Sequence, residues 1–157
     1  MKTKNIFSLL KPKAMTSYIF ENYTMRQAVE KMKHHGYTAI PVINGSGEYV
    51  KTIAEGDFLW YMLEKGISGQ TEMEEHLVSD IPKRVVCEPV DVNSTIEDLF
   101  RLSINQNFVP VVDDRGVFIG IVTRRDILLA CYEELKDGPM FSAAPEYETD
   151  GLAAEGL

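Results

Sequence analysis

Four consecutive residues near the end of the chain, Thr123, Arg124, Arg125 and Asp126, place a hydroxyl, two guanidinium groups and a carboxylate side by side. The apolar run "GIV" precedes them and "ILLA" follows, so they stand where a buried strand is expected to turn into a helix. The first turn of a helix offers unpaired N–H donors and the positive end of the helix dipole, a combination that suits an oxyanion such as phosphate. Arginine adds planar, permanently charged donors that match phosphate oxygens. Asp126 can accept from two vicinal hydroxyls. Thr123 and Asp126 would also serve as an N-cap and its reciprocal partner at N3. Capping needs no arginine, so the pair favours a ligand, with surface salt bridging as their alternative.

These residues belong to a repeat. Ala39–Leu63, "AIPVINGSGEYVKTIAEGDFLWYML", lies over Phe108–Tyr132, "FVPVVDDRGVFIGIVTRRDILLACY", with Pro41, Gly47 and Asp57 falling 69 residues before Pro110, Gly116 and Asp126. Upstream, "TMRQAVEKM" resembles "TIEDLFRLS" at an offset of 71. Each copy predicts the order helix, strand, strand, helix. Apolar residues at helical spacing (Met25, Ala28, Val29, Met32; Ile96, Leu99, Phe100) follow the candidate N-caps Thr24 and Thr95, and Gly36 suits a helix terminus. The turns "NGSG" and "DDRG" separate the two strands of each copy. A unit of about 60 residues buries too little surface to be more than marginal alone, so the copies are expected to pack together. Residues 6–66 and 78–136 are read as the repeats, 67–77 as a linker and 137–157 as an acidic, weakly ordered tail.

The first copy departs from the second at its corner. Lys51 replaces Gly120, Ala54 replaces Thr123, and Glu55-Gly56 replaces Arg124-Arg125, while Asp57 persists. Lys51 stands where a glycine would let a ligand approach the strand, and Glu55 would repel phosphate. The first corner is thus a poor phosphate site that still offers Asp57 to a pair of hydroxyls.

The 157 residues carry a net charge of −8. Residues 137–157 hold five acidic and no basic residues, leaving about −3 for the rest. This balance disfavours nucleic acid, which calls for a basic face. No apolar run approaches the roughly 20 residues that span a bilayer, and "IFSLL" is too short for a secretory signal. A cytoplasmic protein without a membrane partner is expected. Two separated cysteines and three histidines suggest no metal site, and no activated nucleophile, P-loop or dinucleotide fingerprint is present, so no enzyme is expected.

The duplicated "hPVhd…G…D" pattern, carried by "HGYTAIPV" and "NFVPVVDDRGVFIGIVTRRDI", resembles a CBS-domain pair, or Bateman module, and is similar to small stand-alone bacterial members. The resemblance covers roughly residues 6–135. It implies an α/β (α+β) fold of tandem CBS repeats, with two small sheets packed about a pseudo-twofold axis and flanked by helices. It also implies a regulatory, non-catalytic module, commonly a homodimer, that binds AMP, ADP, ATP, S-adenosylmethionine or cyclic di-AMP between the repeats and acts on a protein partner. The implied adenine-flanking segments are Ser17, Tyr18 and Ile19 with Tyr37, Thr38 and Ala39 for one cleft. For the other they are Arg84, Val85 and Val86 with Asn107, Phe108 and Val109. Tyr37 and Phe108 can stack on a base or simply pack.

Whether Arg124 and Arg125 would serve a phosphate whose ribose sits on Asp57 or on Asp126 stays open in the sequence. A mononucleotide such as AMP or ADP is the first expectation and cyclic di-AMP the alternative. A structural oligomerisation module with a degenerate site is the remaining reading. Trp60, Met62, Leu128 and Leu129 exceed what one core face needs and suggest a dimer surface.

Overall fold

A computed structural model of the protein describes residues 5–139. The acidic tail beyond residue 139 lies outside the described residues. Twelve elements follow in order: β1 (Lys11–Pro12), β2 (Ile19–Phe20), α1 (Met25–His35), β3 (Ala39–Ile43), β4 (Tyr49–Ala54), α2 (Glu55–Lys65), α3 (Gln70–Met73), β5 (Val90–Asp91), α4 (Ile96–Ser103), β6 (Phe108–Val112), β7 (Phe118–Thr123) and α5 (Arg124–Leu135).

The two copies fold alike because the same local signals recur. Thr24 and Thr95 cap α1 and α4 in capping boxes closed by Gln27 and Asp98. Gly36 ends α1 at φ 68° with its N–H on the Lys33 and Met32 carbonyls. The hairpins β3–β4 and β6–β7 share one register, each shifting once, between Val42 and Ile43 and between Val111 and Val112. Each copy also contains a two-residue strand before its first helix, β2 or β5, parallel to β3 or β6. The expected order of helix, strand, strand, helix lacks these strands, which are too short to show an alternating pattern.

The sheets run β2-β3-β4 and β1-β7-β6-β5. The odd member is β1. It belongs to the first copy in sequence yet pairs antiparallel with β7 of the second, Lys11 opposite Ile121 and Pro12 opposite Gly120. Ile6 joins the second core with Leu99, Val109, Val111, Val122 and Ile127, and Leu9 and Leu10 pack against it. A separate core beneath the first sheet gathers Ile19, Met25, Met32, Ile40, Ile53 and Phe58, and Met73 of the linker and Val78 just after it close it. The hairpin turns hook together: Tyr49 N–H donates to the Gly116 carbonyl at 3.1 Å and Phe118 N–H to the Gly47 carbonyl at 2.9 Å.

Leu59, Trp60 and Leu63 on α2 and Leu128, Leu129, Tyr132 and Leu135 on α5 are exposed. Met62 is only partly so, since it packs on the first core. No helix among the described residues is long and apolar enough to cross a membrane.

Candidate functional site

Two hollows lie between the copies, and each mixes elements of both. The first, about 250 Å³, takes Ser17 from the segment before β2, Tyr37 and Thr38 from the turn before β3, and Ala39 from β3. From the second copy it takes Phe108 at the start of β6 and Thr123 at the end of β7. The second hollow, about 180 Å³, is the exchanged version: Val86 and Cys87 before β5, Gln106 and Asn107 before β6, Ala54 at the end of β4 and Asp57 at the start of α2. Ala39, Asn107 and Phe108 line both and form the wall between them. The sequence leaves open which corner meets which adenine-flanking segment. In the fold, Thr123 faces the Ser17–Tyr37 side and Asp57 the Val86–Phe108 side.

The first cleft is rich in hydroxyls. Thr16, Ser17, Thr38 and Thr123 line it, and Lys11 adds a positive charge. Thr123 caps the twelve-residue α5 by accepting from Asp126 N–H at 3.1 Å, and its hydroxyl donates to Asp126 Oδ2 at 2.6 Å. Arg124 N–H donates to the Asn107 carbonyl at 2.9 Å. Among the described residues Arg125 N–H has no such partner, so one first-turn donor of α5 stays open beside the cleft.

The two arginines part company. The Arg124 side chain turns back on its own copy, where Nε donates to the carbonyls of Ser103 at 2.7 Å and Gln106 at 3.1 Å. It therefore satisfies backbone acceptors around the end of α4 and lines neither cleft. Arg125 is exposed and also lines neither. Asp126 lines an adjoining open hollow shared with Leu10, Lys11 and Pro12. Tyr18 turns away: its ring packs edge-on to Phe20 and Phe118 and carries the Lys13 and Lys31 ammonium groups at 5.0 and 5.4 Å. Tyr37 stacks on His35 with centroids 5.4 Å apart and the planes 18° from parallel.

The second cleft is furnished by the protein itself. Asp57 is buried, and its carboxylate accepts from Ala54 N–H at 2.8 Å and Arg84 N–H at 3.1 Å. Buried Gln106 accepts from Glu88 N–H at 2.9 Å, while its amide nitrogen faces the Glu88 carbonyl at 3.0 Å and the Phe108 carbonyl at 3.3 Å. Tyr49 donates to the Cys87 carbonyl at 2.8 Å. Burial pushes both the Tyr49 phenol and the Cys87 thiol above their usual ranges. Lys51 does not face a ligand space: its ammonium donates to the carbonyls of Val78 at 2.9 Å and Ile81 at 2.5 Å, and burial lowers its pKa.

Lys11, Thr16 and Gln106 are absent from the sequence-based site. The first two lie before Thr24, where the aligned stretches of the two copies begin, and nothing local shows that β1 crosses to the other sheet. Gln106 matches Tyr37 at the 69-residue offset, a difference visible in the aligned copies. No group of three or more potential metal ligands occurs among the described residues.

The CBS domain family matches this chain twice, at residues 11–64 and 78–133. The cyclic di-AMP receptor B of Bacillus subtilis is 35% identical over 98 residues, covering 59% of this chain and 63% of that protein. An uncharacterised Methanopyrus kandleri protein is 31% identical over 98 residues, covering 62% of this chain and 48% of that protein. The chain thus spans about half to somewhat under two thirds of these relatives. The crystal structure of a CBS domain protein from Streptococcus pneumoniae superposes with a TM-score of 0.74 at 27% identity, covering 83% of this chain and 88% of the other.

Proposed function

The chain belongs to the CBS-domain family as a tandem pair, and on that premise we propose that it is a regulatory module that binds an adenine nucleotide in the first cleft. The observation that carries this is the meeting of Ser17, Tyr37, Thr38 and Phe108 with Thr123, the N-cap of α5. A base fits between the aromatic and backbone groups of the first set. Ribose and phosphate fit toward Thr123, Lys11 and the open first-turn donor at Arg125. Arg125, unlike Arg124, has no side-chain bond to give up before reaching an anion at the rim. Binding is transmitted to a protein partner, and the exposed leucines of α2 and α5 supply a surface for a homodimer.

AMP or ADP is the first ligand class, because the cleft lies just below the usual small-molecule range of ~300–1,000 Å³ and carries few cations for a triphosphate. Cyclic di-AMP is the second reading, favoured by the relative named as its receptor. Thermal-shift and calorimetric titration with AMP, ADP, ATP, S-adenosylmethionine and cyclic di-AMP tests both. A ligand at a hundredfold excess over its Kd raises stability by about 2.7 kcal/mol. No shift from any of the five at millimolar concentration overturns the proposal. A cyclic di-AMP response without a mononucleotide response selects the second reading.

A further inference from the structure

Gln106 and Glu88 form a two-point clamp. The Gln106 carboxamide oxygen accepts from Glu88 N–H at 2.9 Å and its nitrogen donates to the carbonyl of the same residue at 3.0 Å. The amide orientation is fixed by chemistry, since Glu88 N–H can only donate and the Glu88 and Phe108 carbonyls can only accept. The Cys87 sulfur, 3.3 Å from Nε2, completes the surroundings. Gln106 is 7% exposed and lines the second cleft.

An adenine edge presents the same adjacent pair as a primary carboxamide: an amino donor at N6 beside an acceptor at N1. The corresponding backbone in the first cleft belongs to Ser17, because Ile19 pairs with Val42 where Val90 pairs with Val111, so Ser17 stands where Glu88 does. Among the described residues neither the N–H nor the carbonyl of Ser17 has a hydrogen-bond partner, and Ser17 lines the first cleft. The residue in Gln106's place is Tyr37, which has no carboxamide and stacks on His35 instead. One copy thus leaves its peptide edge open, and the other covers the same edge with its own side chain.

We infer that the Gln106 carboxamide is a built-in stand-in for an adenine edge, which takes the place of a base on the Glu88 peptide of the second cleft and leaves the first as the sole adenine site of the chain. The inference rests on the proposed function for its nucleotide count, and the mimicry has a readout of its own. Asp57 agrees with it, since Ala54 and Arg84 already hold the carboxylate that a ribose would need.

The test uses the full chain and Gln106→Gly. Calorimetry with AMP is expected to count one nucleotide per wild-type chain and two per Gln106→Gly chain. Free adenine is expected to raise the melting temperature of Gln106→Gly by several degrees more than that of the wild type. Purine, which lacks the amino donor, is expected not to. Two AMP per wild-type chain overturns the inference, as does a folded Gln106→Gly that gains neither a second nucleotide nor an adenine-specific stabilisation. If Gln106→Gly does not fold alone, refolding in adenine but not in purine supports the mimicry, and failure in both overturns it. A wild-type chain that binds none of the five nucleotides removes the proposed function, and the adenine response of Gln106→Gly still decides the mimicry.

Discussion

Lys51 and Gly120 occupy the same place in the two copies and fasten the chain in opposite ways. Lys51 reaches out, its ammonium held by the carbonyls of Val78 and Ile81 where the second copy begins. Gly120 makes room: β1 lies over it, and a Cβ there would overlap the Lys11 carbonyl and come within 2.9 Å of the Leu10 side chain. The expectation that this glycine admits a ligand to the strand is therefore corrected, because the protein's own N-terminal strand fills the space. The Lys-for-Gly difference marks two methods of seating a lead-in segment.

Gly120→Ala is expected to lift β1 from β7. Overpacking of this kind costs about 1–3 kcal/mol, and the φ of 157° adds strain for any side chain. Urea unfolding should show the loss, and amide exchange should rise at residues 6–12 more than in α1. Unchanged exchange there would show that the strand tolerates the methyl group.

Lys51→Met removes the donor from two carbonyls while keeping the apolar stem. An unsatisfied buried polar group costs about 1–3 kcal/mol, so a loss in that range is expected in chemical denaturation. Protease cutting near residues 78–84 should quicken, and a variant as stable and as resistant as the parent would contradict the latch.

Arg124→Ala and Arg125→Ala separate structure from binding. Arg124→Ala is expected to cost about 1–2 kcal/mol of stability, because it strips the carbonyls of Ser103 and Gln106 of a charged donor. Arg125→Ala should stay within about 0.5 kcal/mol of the parent, as exposed substitutions do, yet weaken nucleotide binding roughly tenfold if it pairs with phosphate. Denaturation and calorimetry on both variants read the two effects apart.

Alkaline pH should destabilise the protein through the second cleft. Burial raises the folded pKa of Cys87 and Tyr49 above their unfolded values. As pH rises, the unfolded chain therefore loses these protons first. The contribution is full below about pH 8.5 for the thiol and about pH 10 for the phenol, and it is lost as pH climbs through the higher folded values. Urea midpoints between pH 7 and 10.5 should fall, with a shallower decline in Tyr49→Phe. An equal decline in that variant would assign the effect elsewhere.

Thr123→Ala should lose about 1 kcal/mol of helix capping and also weaken the nucleotide, whereas Thr123→Ser should keep both. Capping alone predicts that stability changes and affinity does not, a split that a paired melting and titration experiment resolves.

Much of this was legible beforehand. The equivalences Pro41 with Pro110 and Gly47 with Gly116 mark matching hairpins in matching register, because turn chemistry and apolar runs are local properties. Thr24, Thr95 and Gly36 announced helix ends for the same reason. The path of Lys11 was hidden, since its partner Ile121 lies 110 positions away and a two-residue strand has no period. The division between Arg124 and Arg125 was hidden as well: adjacent residues on a helix diverge, and only the fold brings the Ser103 carbonyl beneath one of them. Gln106 against Tyr37 stood in the alignment of the copies, but its meaning needed the Glu88 peptide in view.

The crossing of β1 has a consequence for how the molecule can be taken apart. A knife through the linker would not release two self-sufficient beads, since the first fragment would carry away the edge strand of the second one's sheet and leave Gly120 bare. The halves are dovetailed, so a jolt to the residues at the mouth of the first cleft is felt directly in the sheet of the other half, with no hinge needed to relay it.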